Sequence, residues 1–579
     1  MKKLMMGNEA IARGAYEAGA RVATAYPGTP STEIVSNFAR YADVYAEWSP
    51  NEKVALEVGC GASIGGARTL VAMKHVGVNV AADPLYTFVY TGVNAGLVLV
   101  SADDPGMHSS QNEQDNRGYG QFAKIPVIEP SDSQEAKDFT KMAFEISEEF
   151  DTPVMLRVTT RLSHSQGLVE ESPEKESILK DYQKNAAKYV MLPGYARARH
   201  IEVEKRMQKL KEFAEETPLN VIEWGKKDIG VICSGIPYQY VKDALPEASV
   251  LKLGLVNPLP QQLIRDFASQ VKDLLVIEEL EPYIENQIKA WGIPVKGKEL
   301  FSPQGEYSTE LIEEKIMGLK PQSPFGLDKD VPPRPPVMCP GCPHRGVFYA
   351  LRKMKLAVMG DIGCYTLGAL SPLEGMDVCI CMGASIGTAL GMEKARGEEF
   401  AGKMVAVIGD STFIHSGITP LIDIIYNKGT TTVMILDNST TAMTGHQEHP
   451  GTGKTIQNLT THKIDLKALV KAIGVTNVYT VDPLDLVQLE TTLKQELQKK
   501  EPSVIICQRP CALIDKNLPS FDYAVNPELC TGCNICIRLA CAGLSFIKDE
   551  KKAVINNTCV SCGLCAQVCS FEAINKVEG

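Results

Sequence analysis

At 579 residues with 44% hydrophobic side chains, the chain is long enough for several cores, roughly three to five at one domain per 100 to 200 residues. Its net charge of −11 is spread along the chain without a basic patch, which argues against nucleic acid and anionic membranes as partners. No apolar run reaches the ~18 residues of a membrane span, and MKKLMMGNEAIARG lacks the apolar stretch of a signal peptide, so the expected location is the cytoplasm.

Residues 1–185 read as an α/β domain. NEAIARGAYEAGA has helical periodicity, RVATAYPG is a short strand and TPSTEIVSNFAR a second helix, with Thr29 as N-cap and Pro30 as first helical residue. That arrangement aims free backbone N–H groups at whatever lies beyond Tyr26, as an anion site or as an ordinary helix start. In NEKVALEVGCGASIGGAR, Glu57 stands among small residues that let another backbone or ring come close, with Glu52 as runner-up; a glutamate on a helix is most often a solvated charge. GLVLVSADDPGMHSSQNEQDNRGYG is a buried strand running into a long polar loop, a good place for ligand contacts. His108, Gln111, Asn112 and Arg117 are its candidates for gripping a carboxylate and a carbonyl, Arg117 by its planar fork; the alternative is hydrogen bonding within the loop.

Residues 186–226, with the charged helix IEVEKRMQKLKEFAEE, read as a connector without chemistry. Over 227–320 the strands DIGVICSG, SVLKLGLVNPLP and DLLVIEEL alternate with helical segments, a second α/β module with Cys233 in its core. PQSPFGLDKDVPPRPPV, over 321–337, is a proline-rich linker.

Residues 338–516 form a third α/β domain centred on 405–447. There an apolar run ends in Gly409-Asp410, a helix follows, and TTVMIL ends in Asp437-Asn438, so two parallel strands bring both polar pairs to one sheet edge. A carboxylate and an amide oxygen at strand ends suit Mg²⁺, which takes one or two protein oxygens plus phosphate and water; a diphosphate is the implied ligand. MGASIGTALGMEKA is small enough for its backbone to approach that diphosphate, or for close helix packing. His415 and His446 flank the edge, for proton transfer or as structural histidines. Cys339 and Cys342 in CPGCPHRG fit a zinc knuckle, a redox pair or packing, and Cys364 and Cys511 add two thiols; Cys379, Cys381 and Cys507 read as small buried hydrophobes.

Residues 517–579 carry the most specific pattern. Eight of the chain's 17 cysteines form two runs, CTGCNICIRLAC and CVSCGLCAQVC, matching the bacterial two-cluster pattern in which the fourth cysteine of each run serves the other cluster. One [4Fe–4S] site then uses Cys530, Cys533, Cys536 and Cys569, and the other uses Cys541, Cys559, Cys562 and Cys565. Structural zinc sites pair two knuckles and fit such triplet runs poorly. The first run has one extra residue before Cys541, and Ala542 and Ser570 replace the usual prolines, so the Cys541 site is open to a [3Fe–4S] form.

Several of these segments resemble one family. VIGDSTFIHSG with LDNSTTAMTGHQ resembles the thiamine-diphosphate motif, GDG followed by NN, with Ser411 and Ser439 in place of its last Gly and last Asn. YPGTPST and ALEVGCGASIGG resemble the segments of pyruvate:ferredoxin oxidoreductases that carry a substrate-contacting Thr and the cofactor's Glu, and DDPGMHSSQNEQD is similar to the indolepyruvate branch. The chain as a whole resembles the large (α) subunit of thiamine-diphosphate-dependent 2-oxoacid:ferredoxin oxidoreductases. The resemblance implies several doubly wound thiamine-enzyme-type α/β domains plus a small two-cluster ferredoxin domain: pyrimidine-binding (1–185), transketolase C-terminal-like (227–320) and diphosphate-binding (338–516). It implies Thr29 and Glu57 as catalytic residues, Gly409, Asp410, Ser411, Asp437, Asn438 and Thr440 around the cofactor, and Mg²⁺ on Asp410, Asn438 and the Thr440 carbonyl. It further implies a third [4Fe–4S] cluster on Cys339, Cys342, Cys364 and Cys511. The expected reaction is oxidative decarboxylation of aryl 2-oxoacids with CoA to acyl-CoA and CO₂, with electrons leaving to ferredoxin. A small β subunit is the expected partner, in an αβ pair that dimerises. Branched-chain 2-oxoacids and a non-oxidative thiamine decarboxylase are the alternatives.

Overall fold

The computed structural model describes residues 2–173, 179–319, 334–516 and 522–577. The chain divides into two compact units, Met1–Asp328 and Lys329–Gly579. Of the linker expected over 321–337, only 334–337 fall among the described residues.

The first unit is built on a seven-stranded sheet in the order Leu255–Asn257, Val127–Ile128, Val154–Thr159, Leu97–Asp103, Thr69–Lys74, Val22–Ala25, Tyr45–Trp48. All neighbours are parallel except the edge pair of Leu255–Asn257 with Val127–Ile128. Leu97–Asp103 and Val154–Thr159 are buried along their whole length, as expected for parallel strands covered by helices on both faces. A second sheet, in the order Asp273–Ile277, Lys226–Cys233, Ala248–Lys252, Val221–Glu223, belongs to the module expected over 227–320, and Cys233 is in its core.

Two expectations need correction here. SVLKLGLVNPLP is two strands: Ala248–Lys252 stays in the module's sheet, whereas Leu255–Asn257 joins the seven-stranded one. The chain crosses at Gly254, where an added Cβ would lie 2.5 Å from the Leu219 carbonyl oxygen and 2.9 Å from Phe139 Cε2, so only glycine passes. The connector is also part of the fold. Its helix Pro193–Glu216 buries Val203, Arg206, Leu210 and Ala214 at helical spacing, and Arg206 donates to the Val89 carbonyl at 2.8 Å.

The second unit holds a fully parallel five-stranded sheet in the order Ala357–Met359, Met404–Gly409, Thr432–Asp437, Ser503–Gln508, Asn477–Val481. Its last fifty-odd described residues form two antiparallel ribbons, Asp522–Val525 with Ile574–Val577 and Leu544–Ile547 with Lys552–Ile555. These are tied to the larger domain through Arg345, which donates to the Leu539 carbonyl at 2.6 Å, and Gln567, which donates to the Leu484 carbonyl at 2.7 Å. No helix among the described residues is long and apolar enough to cross a membrane.

Candidate functional site

In the second unit, Met404–Gly409 and Thr432–Asp437 are neighbouring parallel strands, so Asp410 and Asn438 emerge side by side at their C-terminal ends. Asp410 is 3% exposed, Asp437 7% and Asn438 6%. Asp410 Oδ1 accepts the Ser411 N–H at 2.8 Å and Oδ2 the Ser439 N–H at 2.9 Å. Ser439, in the left-handed region with φ 57°, also donates its N–H to Asp437 Oδ1 at 3.0 Å. Burial and the neighbouring Asp410 charge hold the Asp437 carboxyl above its usual range. Burial works against Asp410 too, but His449 and the Ser411 N–H outweigh it and keep its carboxyl below the usual range. Two carboxylates in contact in a buried pocket attract a cation or a proton. The residues therefore fit a divalent cation with Asp410 and Asn438 as hard donors. Thr440 is buried beside them, its hydroxyl turned toward the Gln447 carbonyl at 3.4 Å, and Ser411 accepts a hydrogen bond from the Thr441 hydroxyl at 3.1 Å. Among the described residues no three His, Cys, Asp or Glu side chains gather for a single ion; the expected Mg²⁺ ligands are one carboxylate, one amide and one carbonyl.

Two residues at this edge were missed. His449 is buried, and its Nδ1 accepts the Gly451 N–H at 3.2 Å, which leaves the ring proton on Nε2. Nε2 lies 3.3 Å from Asp410 Oδ2, off the line of a hydrogen bond. Asp361 is fully buried and accepts the N–H groups of Ile362 and Gly383, both at 2.8 Å, and Ser385 at 3.0 Å. The glycine-rich entry to helix Ala384–Arg396 thus gives two N–H groups to a carboxylate of the chain itself. Gly360-Asp361 at a strand end repeats Gly409-Asp410, a signal that was available. His415 is buried with Nδ1 2.6 Å from the Ser416 hydroxyl, whereas His446 Nε2 lies 3.8 Å from Cys511 Sγ.

The thiols cluster beside this edge. Burial, reinforced by Cys364 and Cys339, pushes the Cys342 thiol up to about 12, and burial with Cys511 and Cys339 pushes Cys364 up to about 11. The Cys511 N–H donates to the Asn438 carbonyl at 3.0 Å, so the thiol group and the cation site share a strand end. Tyr365, next to Cys364, accepts the Gly409 N–H at 3.0 Å and donates to the Ile362 carbonyl at 2.9 Å. Farther along, Cys541, Cys559, Cys562 and Cys565 line one cavity, together with Gly341 and Arg345 of the larger domain. Cys530, Cys533, Cys536 and Cys569 line a second. A Cβ at Gly341, within CPGC, would run into Val560 Cγ2, so the backbone of that loop packs against a side chain of the late cysteine run. Cys507 is buried as expected; Cys379 and Cys381 are exposed, which corrects their reading as core.

In the first unit the polar candidates lie at the C-terminal ends of the neighbouring strands Val22–Ala25, Thr69–Lys74 and Leu97–Asp103. Thr29 is half-buried, but helix Thr32–Phe38 begins after Ser31, not at Thr29. The Ser31 N–H and hydroxyl both go to the Gly28 carbonyl, so a tight turn intervenes. On helix Glu52–Ile64, Glu57 is exposed and pairs with Lys53, while Glu52 is 4% exposed and packs on Gly77. In the following loop His108 is exposed, 3.5 Å from Glu306, and Gln111 is exposed. Asn112 Oδ1 faces the buried His75 Nε2 at 3.0 Å. Arg117 is 1% exposed; Asp115, Glu278 and the carbonyls of Glu279 and Glu281 take up its guanidinium. That corrects its reading as a ligand fork: it ties the loop to the second sheet's module.

A model described as "Pyruvate flavodoxin/ferredoxin oxidoreductase, thiamine diP-bdg" matches residues 13–222, and one described as "Thiamine pyrophosphate enzyme, C-terminal TPP binding domain" matches 361–507. Each match contains one of the two edges, and together they define a thiamine-diphosphate enzyme of mixed α/β type. The indolepyruvate oxidoreductase subunit IorA of Archaeoglobus fulgidus is 43% identical over all of this chain and 98% of its own, and that of Pyrococcus abyssi 42% identical over 99% and 97%. This chain belongs to the indolepyruvate oxidoreductase subunit IorA family, a family of oxidoreductases. Among solved structures, the 2-oxoglutarate:ferredoxin oxidoreductase of Magnetococcus marinus matches 55% of this chain and 65% of its own at 16% identity, with a TM-score of 0.46.

Proposed function

We propose that this chain is the large subunit of an enzyme that oxidatively decarboxylates aryl 2-oxoacids, such as indolepyruvate and phenylpyruvate, with CoA to acyl-CoA and CO₂, and passes the electrons to ferredoxin. The observation that carries the reading is the hydrogen bond from the Cys511 N–H to the Asn438 carbonyl, which sets one of the four cysteines expected to hold a third cluster at the cation edge. A non-oxidative thiamine decarboxylase has no use for electron acceptors at that point. Thiamine diphosphate, when bound, supplies an electron sink for decarboxylation. Asp410 and Asn438, with the Thr440 carbonyl, would hold Mg²⁺ against its diphosphate, and the backbone N–H bonds to Asp410 keep that carboxylate charged and oriented. Glu52 or Glu57 would serve the aminopyrimidine ring.

The four-cysteine cavities fit [4Fe–4S] clusters, with a third on Cys339, Cys342, Cys364 and Cys511. The contact of Gly341 with Val560 supports a route from the third set to the Cys541 set and onward to the Cys530 set. The reading includes a small β subunit, with the αβ pair dimerised. Its test is anaerobic reduction of methyl viologen by the chain with that partner, comparing indolepyruvate, phenylpyruvate, 2-oxoisovalerate and pyruvate with and without CoA. CoA-dependent reduction, strongest with the aryl acids, is expected. Aldehyde release without dye reduction would replace the oxidative reading by the decarboxylase.

A further inference from the structure

At the ligand edge of the first unit, three of the cations are already committed. Arg157 donates to Asp103 at 2.7 Å and to Glu129 at 2.6 Å; Arg117 is held by Asp115 and Glu278; Arg161 makes a two-pronged pair with Glu306 at 2.8 and 2.6 Å. Lys74 is different. It ends strand Thr69–Lys74, beside the end of Val22–Ala25, and is half-buried. Its stem lies against Gly28, where an added Cβ would sit 3.3 Å from Lys74 Cδ, so it touches the residue immediately before Thr29.

The ammonium donates to the Ser109 carbonyl at 2.8 Å, in the long polar loop, and no carboxylate pairs with it among the described residues. The nearby Asp104 is engaged by the Ser109 N–H and by the Ser110 and Thr160 hydroxyls, at 2.6 to 2.8 Å. Burial lowers the Lys74 ammonium to about 8, with the Asp104 and Glu52 charges opposing from a distance at which neither forms an ion pair with it. An ammonium has three donors, and the one hydrogen bond seen here leaves two.

We propose that Lys74 binds the carboxylate of the 2-oxoacid, next to Thr29, in the place expected of Arg117. This rests on the 2-oxoacid reading above. It makes Lys74 the residue that distinguishes an acid from the corresponding uncharged ketone or amide. A point charge on a flexible stem, without a guanidinium's fixed fork, tolerates the shifts of a bulky aryl acid in its pocket.

The test uses the full chain with its small partner subunit. Binding of phenylpropionate, a carboxylate that cannot react, is compared with that of phenylpropionamide by calorimetry, in wild type, Lys74→Met and Lys74→Arg. Wild type should prefer the acid, Lys74→Met should lose that preference by roughly 10- to 100-fold, and Lys74→Arg should restore much of it. In turnover, Lys74→Met should raise KM for the 2-oxoacid by a similar factor with KM for CoA unchanged, which separates a substrate carboxylate from the phosphates of CoA. Iron content and the melting curve report folding of each variant. Unchanged acid-over-amide preference in folded Lys74→Met overturns the proposal, as does a loss confined to kcat, which would assign Lys74 to Glu52 and the cofactor. If wild type oxidises no 2-oxoacid yet prefers phenylpropionate through Lys74, the function reading fails and the carboxylate site stands.

Discussion

The two candidate edges of this chain lie at the ends of neighbouring parallel strands and differ in how they hold their charges. In the second unit the acidic groups crowd together: Asp410 and Asp437 are in contact, buried, and held by N–H groups from their own strand ends. In the first unit the acids and bases neutralise one another over long sequence separations, Arg117 with Glu278 and Arg157 with Glu129, while at the sheet edge the Lys74 ammonium has no carboxylate partner among the described residues. A crowded carboxylate pair attracts a cation, whereas a neutralised network is a brace. The lesson is that a polar residue at a sheet edge is available for chemistry only if its tertiary neighbours have not already satisfied it.

That contrast can be broken in order of expected effect. Asp410→Ala should abolish Mg²⁺-dependent retention of thiamine diphosphate, a loss beyond the roughly 100-fold that outer groups are worth, read by calorimetry on the apo-protein. Retained cofactor affinity would remove Asp410 from the cation site. Arg117→Ala should destabilise the first unit by about 3 to 5 kcal/mol, since Asp115 and Glu278 would be left buried without their partner. Denaturant unfolding of the full chain, wild type against variant, checks this. Intact stability with lost substrate affinity would return Arg117 to the substrate. The smallest effect sharpens the acidic edge. His449→Leu should weaken Mg²⁺ by roughly 10- to 100-fold, and His449→Gln, which keeps an N–H toward Asp410, should recover most of it. Equal Mg²⁺ affinity in both variants would make His449 a packing residue only.

Much of the second edge was legible because its parts are contiguous. Gly409-Asp410 and Asp437-Asn438 each end an apolar run, and a parallel sheet brings such ends together whatever the rest of the chain does. The same holds for the eight late cysteines, whose spacing defines two groups, and the structure gathers those groups round two cavities. Asp361 was legible in principle, as another Gly-Asp at a strand end. His449 was not: nothing in HQEHPG says that Gly451 will claim Nδ1 and leave Nε2 toward Asp410.

What the sequence by itself determined is the α/β class, the polar pairs at the strand ends of 405–447 and the crossed grouping of the last eight cysteines. These depend on periodicity and local spacing, which the chain carries within short windows. Only the tertiary structure decided that Leu255–Asn257 leaves its module for the seven-stranded sheet, that helix Pro193–Glu216 belongs to the core, that Arg117 is a brace and that Lys74 donates to a carbonyl and pairs with no carboxylate among the described residues. The physical reason is that whether a charge is neutralised depends on groups far along the chain, as Arg117 on Glu278 161 residues away, and such distances carry no local pattern.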